Sequence, residues 1–181
     1  MTPGRWGYST TSRPRCFTEV VSAEAANLVR AFYEFSAGRD LVAALEEPDF
    51  IEAGRAAFDH LMAPQFEFVL VRGDVGEQGI YRGRNALEDG MRDWLSSFRS
   101  YVTEVDQVID LGARVLVLTD ERGVSLSGEV PLRQRGAVIW TFREAGVERI
   151  ETYLQPSAAL SALAEHELAR LSAPERALLV G

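Results

Sequence analysis

The chain has no lysine; all 19 of its basic residues are arginine. Lysine Schiff bases and lysine general bases are therefore excluded. Cys16 is the single cysteine, which rules out an intramolecular disulfide and a thiolate metal cluster. The two histidines, His60 and His166, form neither an HxH nor an HxxxH pair, so no zinc site is expected. No apolar run reaches the roughly 18 residues needed to cross a bilayer. The N-terminal MTPGRWGYSTTSRPRCF carries arginines but no apolar stretch follows it, so it does not read as a secretory signal and the cytoplasm is the expected compartment. A formal net charge of −8 argues against non-specific binding to nucleic acid or an anionic membrane, both of which need a basic surface. GDVGEQG spells GxxGxxG outside any strand–helix unit, and there is neither a phosphate-binding loop nor a GxSxG elbow. No cofactor and no metal are expected.

What is present is the pattern of one globular domain. At 181 residues and 46% hydrophobic the chain is long enough for a sizeable core. Residues 1–19, rich in Gly, Pro, Ser, Thr and Arg, read as a flexible tail. From Ser22, a candidate N-cap, Ala25, Leu28, Val29, Phe32 and Phe35 form one apolar helical stripe that Gly38 ends. Asp40 is placed to cap a short helix, LVAALEE. Asp49 is placed to cap a third, FIEAGRAAFDHLM, which Pro64 stops. QFEFVLV (65–71) reads as a strand and GIYRG as a short extended piece. NALEDGMRDWLSSF is the clearest helix, with Leu87, Met91, Trp94, Leu95 and Phe98 on one face. From Tyr101 to Gln155 the chain reads as one long antiparallel meander, with turns at Asp110-Leu111-Gly112 and Glu144-Ala145-Gly146. A helix follows Pro156, and SAPE from Ser172 spells a capping box before a last short helix. Helices first and a covered sheet after them define an α+β class.

The order of NLVRAFYEFSAGRD, GIYRGRNAL, VIDLGARVLVL, RGVSLSG, VIWTFREAGVERIETY and PSAAL resembles the SnoaL-like branch of the nuclear-transport-factor-2-like superfamily over about residues 23–163. The resemblance implies a cone: a curved antiparallel sheet wrapped around N-terminal helices (a cystatin-like α+β barrel), here with an extra C-terminal helix. It divides the chain into the tail at 1–19, the cone domain at 20–165 and a helical extension at 166–181. It also implies a homodimer through the outer sheet face. Relatives bind small molecules or carry out isomerisation, cyclisation or hydrolysis, so the activity has to be argued from residues.

Acid–base work in a dry cone calls for an inward carboxylate beside a hydroxyl donor. Glu151, Tyr153 and Gln155 share one strand face by period-two alternation. If that face points inward, Glu151 is a candidate base and Tyr153 its donor. Relatives often carry an aspartate where this chain has Gln155, and a histidine where it has Val138. Glu67 is a second candidate base, yet Phe66 and Phe68 lie on the opposite face, so Glu67 meets water if they fill the core. Tyr33, His60, Tyr81, Trp94, Trp140 and Gln155 are candidate substrate contacts, with the aromatics as cavity wall. The expected function is binding of a small apolar or aromatic molecule, with cofactor-independent isomerase, cyclase or hydrolase chemistry. The alternative is a non-catalytic ligand-binding or dimerisation module. An ionisable group buried in the cavity separates the two.

Overall fold

A computed structural model describes residues 17–72, 77–127 and 130–180. The tail up to residue 16 and residues 73–76 of the glycine-rich loop lie outside the described residues. Helix α1 runs Phe17–Ser36, so residues 17–19 belong to a helix rather than to the tail. Asp40 caps α2 (Leu41–Ala44), its Oδ1 accepting from Val42 N at 3.1 Å. Helix α3 (Pro48–Phe58) starts one residue before the expected Asp49, with Pro48 in its first turn where a missing N–H costs nothing. A 3-10 turn, Asp59–Leu61, feeds β1 (Met62–Arg72), and Pro64 therefore sits inside a strand. Then come β2 (Glu77–Arg82), α4 (Ala86–Leu95) and the meander β3 (Phe98–Asp110), β4 (Arg114–Ser125), β5 (Pro131–Arg143) and β6 (Gly146–Tyr153). Gly112 and Gly146 take φ of 101° and 115° in the two expected turns, a conformation that favours glycine. The C-terminus breaks into α5 (Pro156–Ala162), α6 (Glu165–Leu168) and α7 (Ala173–Val180). The Ser172–Glu175 capping box forms before α7.

The six strands make one curved, unclosed sheet in the order β2-β1-β6-β5-β4-β3. All neighbours are antiparallel except β1 and β6, which are parallel. Register shifts at Val105/Gln107 and Thr141/Phe142 mark bulges, which bend and twist their strands.

Both faces of the central strands are apolar. Phe66, Phe68, Val115, Val117, Val138, Trp140 and Ile150 pack with Ala25, Ala26 and Val29 of α1 and Ala86 of α4. The alternate residues Val69, Val71, Leu116, Leu118, Ala137, Ile139 and Tyr153 pack with Ala159 and Leu163 of the α5 region and with Leu171 and Leu179. The α1 side is the inner face of the curved sheet; α5–α7 cover the outer face.

The outer cover is held by one buried ion pair. Arg114 Nε donates to Glu167 Oε1 at 2.6 Å, and Arg114 Nη2 also pairs with Glu167 Oε2. Both Nη groups donate to Ala162 O at 3.1 Å, and Glu167 Oε2 accepts from Ala164 N at 2.8 Å. Burial opposes the charge on Glu167, but the Arg114 and Ala164 hydrogen bonds outweigh it and hold the carboxyl below its ordinary value.

A native pKa lower than the unfolded one stabilises the fold above the unfolded value and loses that stabilisation as pH falls through the native one. Acidification below the ordinary 4.5 should therefore loosen α5–α7 before the sheet melts. Amide exchange across residues 156–180, corrected for intrinsic rates, should rise first. A second expectation concerns Gly90 of α4, where a Cβ would lie 2.2 Å from Phe68 Cδ1 and 2.9 Å from Tyr81 Cδ2. Gly→Ala in an open helix stabilises by about 1 kcal/mol. Here overpacking should reverse the sign, and G90A should lose about 1–3 kcal/mol in urea unfolding.

Candidate functional site

The inner sheet face curves away from α1, α3 and α4 and leaves a cavity of about 200 Å³. Its wall is mainly apolar and rich in aromatics, with Phe32 and Tyr33 of α1, Phe58 of α3, Trp94 of α4, and Tyr101 and Trp140 of the sheet among them. Phe32 anchors the wall, its ring 4.9 Å from Trp140 and 5.0 Å from Phe58 in edge-on contacts. Ion pairs rim the lining, Arg55 with Glu88 at 2.5 Å and Arg84 with Asp59 at 3.3 Å. Arg92 of α4 ties α2 down by donating to Leu45 O at 2.6 Å and Glu46 Oε1 at 2.9 Å.

Of the three acids in the lining, one is buried; Asp59 and Glu88 are the arginine-paired ones. Glu121 of β4 is 4% exposed and lines the cavity. Its Oε2 accepts from the Tyr101 hydroxyl at 2.5 Å and from Gln134 Nε2 at 2.8 Å; its Oε1 accepts from Thr119 Oγ1 at 3.1 Å. All three donors are uncharged. Burial foremost, then the Glu121 charge and hydrogen bond, push the Tyr101 phenol far up, so it remains a protonated donor. Tyr101 is placed in turn by its backbone N–H, which donates to Asp40 Oδ1 at 3.0 Å. The capping residue of α2 thus fixes the strand that carries the phenol.

Two strand glycines make the room. A Cβ on Gly136 would lie 2.4 Å from Glu121 Oε1 and 2.7 Å from Thr119 Oγ1; one on Gly123 would lie 3.0 Å from Tyr101 Cδ2.

Tyr33, Trp94 and Trp140 line the cavity. Burial foremost holds the Tyr33 phenol well above its ordinary range, and it too stays a donor. The buried Trp140 Nε1 makes no hydrogen bond. The other candidates lie elsewhere. Glu67 is on the opposite face from Phe66 and Phe68, between Arg82 Nε at 2.7 Å and Arg149 Nη1 at 3.1 Å. Glu151 is also on the outer face, 3.3 Å from Arg149 Nη2. Tyr153 is buried under α5–α7, and its phenol is raised by burial and then by Glu151. Glu151 and Tyr153 are thus brought together, but behind the cavity rather than in it. Gln155 is exposed at the N-cap of α5 with no side-chain bond. His60 is exposed beside a separate hollow with Pro64 and Arg84. Tyr81 turns its hydroxyl away from the cavity and donates to Asp93 Oδ2 at 2.6 Å.

Glu121 was not among the residues the sequence pointed to. DERG at a strand end reads as an exposed turn, and Val115, Val117, Thr119 and Glu121 compete with Leu116 and Leu118 as the inward set. The available signal was Gly123 and Gly136, glycines inside strands that mark a close approach.

Among the described residues no group of three His, Cys, Asp or Glu side chains could hold a metal ion.

A curved, unclosed sheet of this topology with helices around a small cavity is the fold of nuclear-transport-factor-2-like proteins. The model of the SnoaL-like domain matches residues 29–150, and the chain belongs to that family. An NTF2-like protein from Burkholderia pseudomallei K96243 is 16% identical, with a TM-score of 0.51 over 75% of this chain and 92% of its own. An NTF2-like protein from Burkholderia xenovorans LB400 is 18% identical, with a TM-score of 0.50 over 79% and 98%. TerC, co-crystallised with polyporic acid, is 18% identical, with a TM-score of 0.51 over 75% and 94%. At these identities the likeness is one of fold. No curated protein matches the sequence.

The packing around Glu121 predicts that G136A is destabilised by about 1–3 kcal/mol, since the added methyl overlaps the carboxylate. Urea unfolding measures the loss. An unchanged midpoint would mean that Glu121 does not sit against β5.

Proposed function

We propose that this protein binds a small apolar or aromatic molecule in the cone and moves a proton to or from it through Glu121, as an isomerase, cyclase or hydrolase of the cofactor-independent kind. The observation that carries this is the buried ionisable group in the cavity wall. A container for apolar ligands has no use for a carboxylate, which is costly to bury unless hydrogen-bonded or paired. Here three neutral donors support it while none cancels its charge, which is what a general base in an apolar site requires. Tyr101 positions and stabilises the carboxylate. The protonated Tyr33 phenol, on another wall of the same cavity, is the donor for an oxygen that gains charge as the proton leaves.

In this reading Glu121 takes the base role first given to Glu151 and Glu67, Tyr33 takes the donor role first given to Tyr153, and Trp94 and Trp140 remain wall. The co-crystallisation of TerC with polyporic acid supports small-molecule occupancy of such a cone. Pairing through the outer sheet face does not enter the reading, because α5–α7 lie on it. The setting we propose is the cytoplasm; no described helix is long and apolar enough to cross a membrane.

The test is α-proton exchange in D2O, followed by NMR, on a panel of aryl and alicyclic ketones of one and two rings. Wild type should exchange at least one member well above buffer, and E121Q should be about 100-fold slower or worse. Ligands that bind without exchange would instead favour the binding-only module, and an E121Q variant as fast as wild type would remove Glu121 from the chemistry.

A further inference from the structure

Helices α5, α6 and α7 all lie beyond the family match, which ends at residue 150. They are seven, four and eight residues long, too short to be stable helices in isolation. What they stand on is the outer face of β1, β4, β5 and β6, a continuous apolar surface that includes Val69, Leu116, Leu118, Ala137 and Ile139. A surface of this kind left open in water would mark an interaction site. Here Ala159, Leu163, Leu171 and Leu179 of the same chain complete it.

The attachment converges on one residue. Arg114, at the first position of β4, reaches the carbonyl that ends α5 (Ala162) and the acid in the first turn of α6 (Glu167). Glu167 also accepts from the N–H of Ala164, so the α5–α6 corner is fixed to the sheet by a single guanidinium. Both partners are largely buried, with side-chain exposures of 18% and 6%. Removing one partner of such a pair leaves an uncompensated buried charge and is far more disruptive than loss of a surface pair.

We propose that α5–α7 take the place of a second subunit on the outer sheet face, so that the protein is a monomer capped by its own C-terminal helices, with the Arg114–Glu167 pair as the clasp. The native occupant of the face is residues 156–180 of the same chain. A second copy takes the face only when the clasp is undone, because one apolar patch meeting its own copy gives a closed two-fold contact. The proposal is independent of the chemistry assigned to Glu121.

Light scattering coupled to size exclusion, from low to high micromolar protein, tests it together with amide exchange. Wild type should run as a monomer throughout, with residues 156–180 protected. R114Q should keep its far-UV spectrum, exchange at least ten times faster across 156–180, and self-associate in the micromolar range. E167Q, which leaves the bonds to Ala162 O in place, should shift both readouts in the same direction by less, and it keeps the test open if R114Q fails to fold. A dimeric wild type overturns the proposal. So do variants that remain monomeric with residues 156–180 as protected as in wild type.

Discussion

A sheet whose central strands are apolar on both faces must be covered twice, and the architecture follows from that requirement. In β4 the run Val115–Leu118 alternates between two buried clusters, and in β5 Ala137–Trp140 does the same. The inner face is met by α1 and α4, which pack on it around a hollow, whereas the short helices α5–α7 pack on the other face. The cavity is thus a product of curvature, and the bulges in β3 and β5 belong to its construction as much as the aromatic residues that line it.

The second constraint is electrostatic. β4 stays apolar on its inner side through Val117 and then places Thr119 and Glu121 on the same face. Burying a carboxylate there costs several kcal/mol unless hydrogen bonds replace the lost water. Tyr101, Gln134 and Thr119 supply them from three positions, each on the strand that carries Glu121 or on one of its two neighbours. Gly123 and Gly136 keep the space that this arrangement needs. The contrast with Glu67, Glu151 and Glu167 is instructive. Those three each face an arginine, so their charges are neutralised and structural. Glu121 alone among the cavity-lining acids is deep in the wall with only neutral partners; Asp59 and Glu88 face Arg84 and Arg55.

Much of the fold could be read from local spacing. The stripe Leu87, Met91, Trp94 and Leu95 marked α4, although Phe98, read as its last member, opens β3; Asp40 and Ser172 announced helix starts, and Gly112 and Gly146 fell where the chain reverses. These features depend on a residue and its near neighbours. The errors lie where a local rule met a longer-range one. Pro64 reads as a helix stop, yet the helix ends earlier and Pro64 enters β1, whose partner strands the local sequence does not contain. The helix expected after Pro156 became two, α5 and α6, where Glu167 turns back to Arg114, 53 residues away.

The sequence by itself determined the α+β class, the order of elements, the aromatic character of the cavity and the absence of lysine, thiolate-cluster and zinc-motif chemistry, since each rests on composition or short-range periodicity. That Glu151 and Tyr153 share a face was equally legible, although Gln155 lies past the end of β6. Which face it was, only the tertiary structure decided. Alternation assigns residues to two sides but does not label them, and in strands apolar on both sides hydrophobicity cannot break the tie. The label comes from which helices settle where: α1 and α4 on one side make Glu121 the acid in the cavity, and α5–α7 on the other turn Glu151 and Tyr153 into parts of the outer surface.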